Sequence, residues 1–191
     1  MTNDNCALLK ASALKLLDVY AKTYHNESEQ IERCRLLLQS LPDPFSDREA
    51  RGHITASAVV VAGPPYCALL ILHEKLNRWF QPGGHVETAI DGSIVDAALR
   101  ECLEETGEHA HTAGTGPILI DIDIHRIPQS SKMPSHEHYD MRILFRLDPK
   151  PLRSAAMKWV PLSELAKDSD ITLSRFSQKA IDLLTRGSCL S

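Results

Sequence analysis

The sequence predicts an α/β fold, a mixed β-sheet held between helical layers and preceded by a helical extension. Three observations lead there. Residues 1–50 carry apolar side chains at helical spacing, first Leu9, Ala13, Leu16, Leu17 and Tyr20, then Ile31, Cys34, Leu37, Leu38 and Leu41. From residue 53 the period changes to apolar, β-rich runs interrupted by one acidic helix. Helical spacing returns at the C-terminal end, giving a second unit over 51–191.

Taken in order, 4–23 and 27–41 form a helical pair, broken near His25-Asn26 and ended by Pro42, Pro44 and Ser46. The pair either caps the unit that follows or forms a homodimer surface, two readings of equal standing. Residues 54–61 read as a strand covered on both faces, and 67–73 as a second apolar strand after the Gly63-Pro64-Pro65 turn. Trp79-Phe80-Gln81 leads into Gly83-Gly84, read as a tight turn whose backbone can approach a ligand. Ser93 is a good helix N-cap with Asp96 as a box-like partner; Ala97, Ala98 and Leu99 favour helix and Gly107 stops it.

Residues 114–117 form a loop. Ile118, Ile120, Ile122 and Ile124 then alternate with Leu119, Asp121, Asp123 and His125, the pattern of a half-buried strand. A polar loop over 127–135 precedes another strand over 137–147 and a short one over 157–160. A short helix over 162–167 and a closing helix over 172–186 follow, the latter with Phe176, Ala180, Leu183 and Leu184 on its inner side.

Apolar content of 43% and charged content of 24% are those of a soluble globular protein. A net charge of −4, with basic residues scattered, gives no general affinity for nucleic acid or an anionic membrane, so a small-molecule partner is expected. Cys6, Cys34, Cys67, Cys102 and Cys189 are odd in number and form no C-x-x-C pair, and read as reduced thiols. No apolar run reaches 18 residues, and Asn3, Asp4 and Asn5 do not suit a signal peptide, so the expected location is cytoplasmic.

The chemistry concentrates in 81–107. Glu101, Glu104, Glu105 and Glu108 stand at i, i+3, i+4 and i+7, on one helix face, while Val95, Leu99, Cys102 and Thr106 mark a more apolar face. Exposed like charges at this spacing cost ~0.2–0.5 kcal/mol per pair. They form either a solvated acidic surface or a site for a hard cation, Mg²⁺ or Mn²⁺, which removes the repulsion. The glycine pair before the helix and Arg100 beside the carboxylates favour the cation site.

This run resembles the Nudix box, G-x5-E-x7-R-E-U-x-E-E-x-G-U with U aliphatic. Gly84, Arg100, Glu101, Cys102, Glu104, Glu105 and Gly107 fall on its positions. The spacer from Gly84 to Arg100 is two residues longer than the pattern. The early Glu therefore maps to Ile90 counting forward or Gly92 counting back, with Asp91 between as a substitute, and the last U is Glu108. The resemblance covers 53–186, including Trp159-Val160-Pro161-Leu162 before the last helices. It implies an α/β/α sandwich and an Mg²⁺-dependent (alternatively Mn²⁺-dependent) hydrolase of a nucleoside diphosphate linked to another group. It also implies Gly84, Glu101, Glu104 and Glu105 as metal ligands and Glu104, Glu105 and Arg100 as catalytic residues. A further carboxylate outside the box often serves as ligand or base in this family, and Glu137 and Asp140 are the candidates here.

These two belong to a second polar cluster, His136-Glu137-His138-Tyr139-Asp140. On a strand, 136, 138 and 140 share one face and 137 and 139 the other. The histidines are structural, or touch phosphate or the metal shell, or form a separate transition-metal site. His85 reaches phosphate or caps its turn, Arg78 contacts phosphate or solvent, and Trp79 stacks on a base or joins the core. The substrate-binding candidates are thus Arg78, Trp79, His85, His136 and His138. Two other functions compete with hydrolysis. One is a non-catalytic nucleotide or metabolite sensor, favoured by the altered spacer. The other is isomerase chemistry on an isoprenoid diphosphate, which would want a reactive cysteine, and Cys67 sits in an apolar strand.

Overall fold

The protein's structure is a computed structural model that describes residues 2–131, 133–148 and 151–186; Cys189 lies outside them. Two helices come first, α1 (Thr2–Thr23) and α2 (Ser28–Ser40), joined by a single 3₁₀ turn. Strands β1 (His53–Ala62), β2 (Cys67–His73), β3 (Arg78–Phe80) and β4 (Gly83–His85) precede α3 (Ile94–Thr106). After it come β5 (His111–Thr112), β6 (Ile118–Ile127), β7 (His136–Arg146), β8 (Met157–Pro161), α4 (Leu162–Leu165) and α5 (Ile171–Thr185).

The sheet runs β3-β2-β1-β7-β5, with β4 also on β1, β6 on β7 and β8 on β2. It is mixed because β1 and β7 are parallel, from His53↔His138 to Val61↔Arg146, while the other pairs are antiparallel. All ten residues of β1 are buried, as its unbroken apolar run requires of a strand covered on both faces.

Alternate residues serve opposite layers. Ile54, Ala56, Ala58 and Val60 pack with Met141, Ile143 and Phe145 against α1, α2 and α3. Val59, Val61 and Leu144 pack against Leu162, Leu165, Phe176 and Ala180 of α4 and α5. Leu9, Leu17, Tyr20, Leu38 and Leu41 lie in the same buried cluster as β1, so the N-terminal helices cover the sheet and share its core. Among the described residues no helix is long and apolar enough to cross a membrane.

Three expectations need correction. The glycine pair is an extended strand and not a tight turn, since Gly84 pairs with Ala56 and Gly83 with Ser57. Glu108 is not on the acidic face, because the helix ends at Gly107 (φ 69°) and Glu108 is buried beyond it. The polar side of β6 is not solvated: Asp121 and Asp123 are buried in ion pairs, because α5 covers that side.

Asp121 accepts hydrogen bonds from Arg142 at 3.2 Å and from Arg175 and Lys179 at 2.8 Å. Lys179 continues to Tyr20 at 2.7 Å and pairs with Glu27, tying α5 to the N-terminal helices past β6, which pairs with β7.

Candidate active site

The acidic helix is α3, and its ends are set as its sequence dictates. The Ser93 hydroxyl accepts from the Asp96 N–H at 3.1 Å, and the Gly107 N–H donates to the Leu103 carbonyl at 2.8 Å. Ile94, Ala97, Ala98, Cys102 and Thr106 bury one face against the sheet. That rotation brings Glu101 and Glu105 against β4.

Contact there is close enough to explain both glycines. A Cβ on Gly84 would stand 2.6 Å from the Glu101 carboxyl carbon, and one on Gly83 would stand 2.2 Å from the Ser57 hydroxyl. Neither glycine needs a positive φ, so both are required by close approach and not by a turn. The Gly83 N–H points away from the sheet and donates to Glu105 Oε2 at 2.9 Å. Burial pushes the Glu105 carboxyl above the usual range; the Gly83 N–H draws it back, while Glu101 and Glu104 repel its charge. Glu104 is exposed and Glu101 half-buried.

Arg100 binds this corner together. Its Nε and Nη2 donate to the two carboxylate oxygens of Asp91, both at 3.0 Å. Its Nη1 reaches Glu101 at 2.8 Å and Glu104 at 3.2 Å, and Nη2 also reaches the His85 carbonyl at 2.8 Å. Asp91 is thus the partner of the box arginine despite the longer spacer. The Asp91 side chain also accepts the Glu87 N–H at 2.7 Å, and Asn5 of α1 holds the backbone carbonyls of Thr88 and Asp91 at 2.6 and 3.0 Å.

Gly84, Arg100, Glu101, Glu104 and Glu105 therefore converge. Other sequence candidates are not brought to the ridge. Glu137 is four residues along β7 from Met141, which is level with Gly84 through Ala56; that is roughly 13 Å at ~3.3 Å per residue. Its carboxylate is held by Arg33 at 2.7 Å and by the Tyr139 hydroxyl at 3.0 Å, and Arg33 keeps it below its ordinary value. Asp140 is buried on the opposite side of the sheet from α3, taken by Ser57, Thr55 and Arg142 at 2.9, 3.2 and 2.9 Å. Arg78 pairs with Asp170 over the Phe80 ring, and Trp79 packs into the core beneath Lys158, whose Nζ is 4.3 Å from the ring centroid. Burial pushes the Cys67 thiol up, which leaves it a poor nucleophile.

The histidines make a group of their own on the Asp140 side. His53 sits at the centre, with ring centroids of His85, His136 and His138 at 5.1, 5.1 and 4.6 Å, and His125 stands 5.5 Å from His138. Burial, then His85 and His136, push His53 down to about 4, with Asp47 and the Glu49 backbone pulling weakly upward. Burial and the four neighbouring imidazoles push His138 down to about 3. His53 and His125 were not singled out in the sequence. They join the others only because β1 runs parallel to β7 and β6 antiparallel to it, aligning both with His138.

The family model described as the NUDIX domain matches residues 52–181. The NUDIX domain of Shewanella oneidensis NrtR, solved with ADP ribose, aligns at a TM-score of 0.51 and 17% identity over 79% of this chain and 97% of that one. NrtR itself aligns at 0.52 and 17% over 70% and 63% of the two chains. The Escherichia coli dihydroneopterin triphosphate pyrophosphohydrolase aligns at 0.50 and 15% over 68% and 95%. At such identities these neighbours establish the fold. No curated protein matches the chain.

Proposed function

The chain belongs to the NUDIX domain family, and on that premise we propose that it is a divalent-cation-dependent hydrolase cleaving the diphosphate linkage of a nucleoside diphosphate joined to another group. One observation carries the reading: Glu101 and Glu105 of one helix meet the bare backbone of Gly83-Gly84, and Arg100, itself fixed by Asp91, holds Glu101 and Glu104 beside them.

The donor set suits a hard cation. Glu101, Glu104 and Glu105 crowd negative charge at one place, and the absent side chain at Gly84 leaves its carbonyl approachable. Mg²⁺, or Mn²⁺ in its stead, would be held by Glu101, Glu104 and the Gly84 carbonyl, with Glu105 beside them outside direct ligation. When bound it would supply charge neutralisation for the phosphate oxygens. The chain's own residues do the rest. Arg100 orients Glu101 and Glu104. A ridge carboxylate takes the proton of the attacking water as the water oxygen bonds to phosphorus and the bridging P–O bond breaks, the electron pair leaving with the phosphate. Glu105, whose proton affinity is raised, is the base this arrangement favours over the paired Glu137 and Asp140.

The competing sensor reading drew on the longer spacer, and Asp91 at the arginine weakens it. The free thiols Cys6, Cys34, Cys67 and Cys102 support a reducing, cytoplasmic setting. A homodimer through the N-terminal helices would use exposed Leu8, Val19 and Leu36. The test is a panel of nucleoside triphosphates, nucleotide sugars, dinucleoside polyphosphates and dinucleotide cofactors, assayed with Mg²⁺, with Mn²⁺ and with chelator. Metal-dependent cleavage at a diphosphate is expected; ligand binding without turnover across the panel would establish the sensor instead.

A further inference from the structure

We propose that His53, His136 and His138 form a second metal site, for Zn²⁺ or a similar borderline ion, distinct from the carboxylate ridge and independent of the hydrolase reading. The fold builds it from two strands. His53 on β1 and His138 on β7 are direct register partners, and His136 shares the face of His138 two residues away. One ring nitrogen from each can be chosen so that all three lie within 4.8 Å of one another.

The strongest observation is His53 itself. It is fully buried, and neither Nδ1 nor Nε2 makes a well-formed hydrogen bond; the Glu49 backbone offers one of them only a weak contact. Buried polar side chains almost always find a partner, so at least one nitrogen of this imidazole, facing two others, is free to bind an ion. His136 adds the orientation such sites require. Its Nδ1 lies 2.9 Å from the Pro134 carbonyl, an acceptor, so Nδ1 carries the proton and Nε2 keeps its lone pair.

Ligand chemistry separates the two sites. Three imidazoles select Zn²⁺ and its neighbours, whereas Mg²⁺ demands oxygen. Zn–N bonds of about 2.0–2.1 Å at tetrahedral angles put the nitrogens roughly 3.3 Å apart, so the rings close by up to about 1.5 Å on loading. The fourth position falls to water or to His85, whose ring stands 5.1 and 5.4 Å from His53 and His138.

The test uses the full chain, stripped with chelator and titrated with Zn²⁺ against a chromophoric competitor under excess Mg²⁺. Wild type is expected to bind one equivalent of Zn²⁺, and Co²⁺ to give the intense visible bands of a tetrahedral nitrogen site. His136→Asn and His138→Asn should each weaken Zn²⁺ binding by ~100-fold or more, while Glu105→Gln leaves it unchanged. His53→Asn should do the same as the other two; if it does not fold, the two β7 variants decide. Equal Zn²⁺ binding by wild type and His138→Asn, or loss of binding in Glu105→Gln, would overturn the site.

Discussion

Asp91 accepts both the Nε and Nη2 hydrogen bonds of Arg100 across nine residues, and the pair is largely shielded from water. Bidentate geometry makes it a positioning device, since Arg100 in turn holds Glu101 and Glu104. Asp91→Asn keeps the shape and removes the charge. It should cost ~1–3 kcal/mol of stability, because two charge-assisted hydrogen bonds are weakened while Glu101 and Glu104 still face the Arg100 charge. Urea unfolding measures this, and metal-dependent turnover should fall with it.

The two glycines should fail differently. A methyl at Gly83 meets Ser57 backbone at 2.7 Å, which cannot swing away, so Gly83→Ala should destabilise the fold by ~1–3 kcal/mol. A methyl at Gly84 has as its three nearest neighbours the carboxylate atoms of Glu101, the end of a flexible side chain. Gly84→Ala should therefore unfold near the wild-type temperature while losing turnover. Melting and activity measured together on both variants separate the effects.

Arg142 lies almost wholly buried among Asp121, Asp123 and Asp140. Arg142→Met strands the Asp140 charge, while Asp121 and Asp123 keep Arg175, and should cost ~3–5 kcal/mol. Adding Asp140→Asn should restore part of the loss, and a double-mutant cycle by chemical denaturation reads the coupling.

Chelator-treated protein should lose stability on the acid side early. His53 and His138 are held neutral in the fold, at about 4 and about 3, against an ordinary 6.5. The unfolded chain takes up protons that the fold refuses, so their penalty is absent above pH 6.5 and grows as pH falls toward 4. The slope is at most about 1.4 kcal/mol per pH unit for each group, less for the partly solvated His138. Unfolding midpoints between pH 7.5 and 5 check this, and His138→Gln should flatten the slope.

Local features were legible in the sequence. The caps of α3, the acidic face and the apolar runs of β1 and β2 follow from spacing within a few residues. What escaped depends on register between distant strands. Nothing near His53 says that it will lie beside His138, because a parallel pair joins segments more than eighty residues apart. Asp121 and Asp123 looked solvated because an alternating strand does not reveal that α5 will bring Arg175 and Lys179 over it. Gly83-Gly84 looked like a turn because a glycine demanded by a neighbour's backbone reads the same as one demanded by φ.

The most direct test compares the Mg²⁺-dependent turnover of wild type and Glu105→Gln on the best substrate from the diphosphate panel. The account predicts wild-type cleavage abolished by chelator and a loss of ~100-fold or more in the variant. Turnover indifferent to chelator, or a variant as fast as wild type, would contradict it.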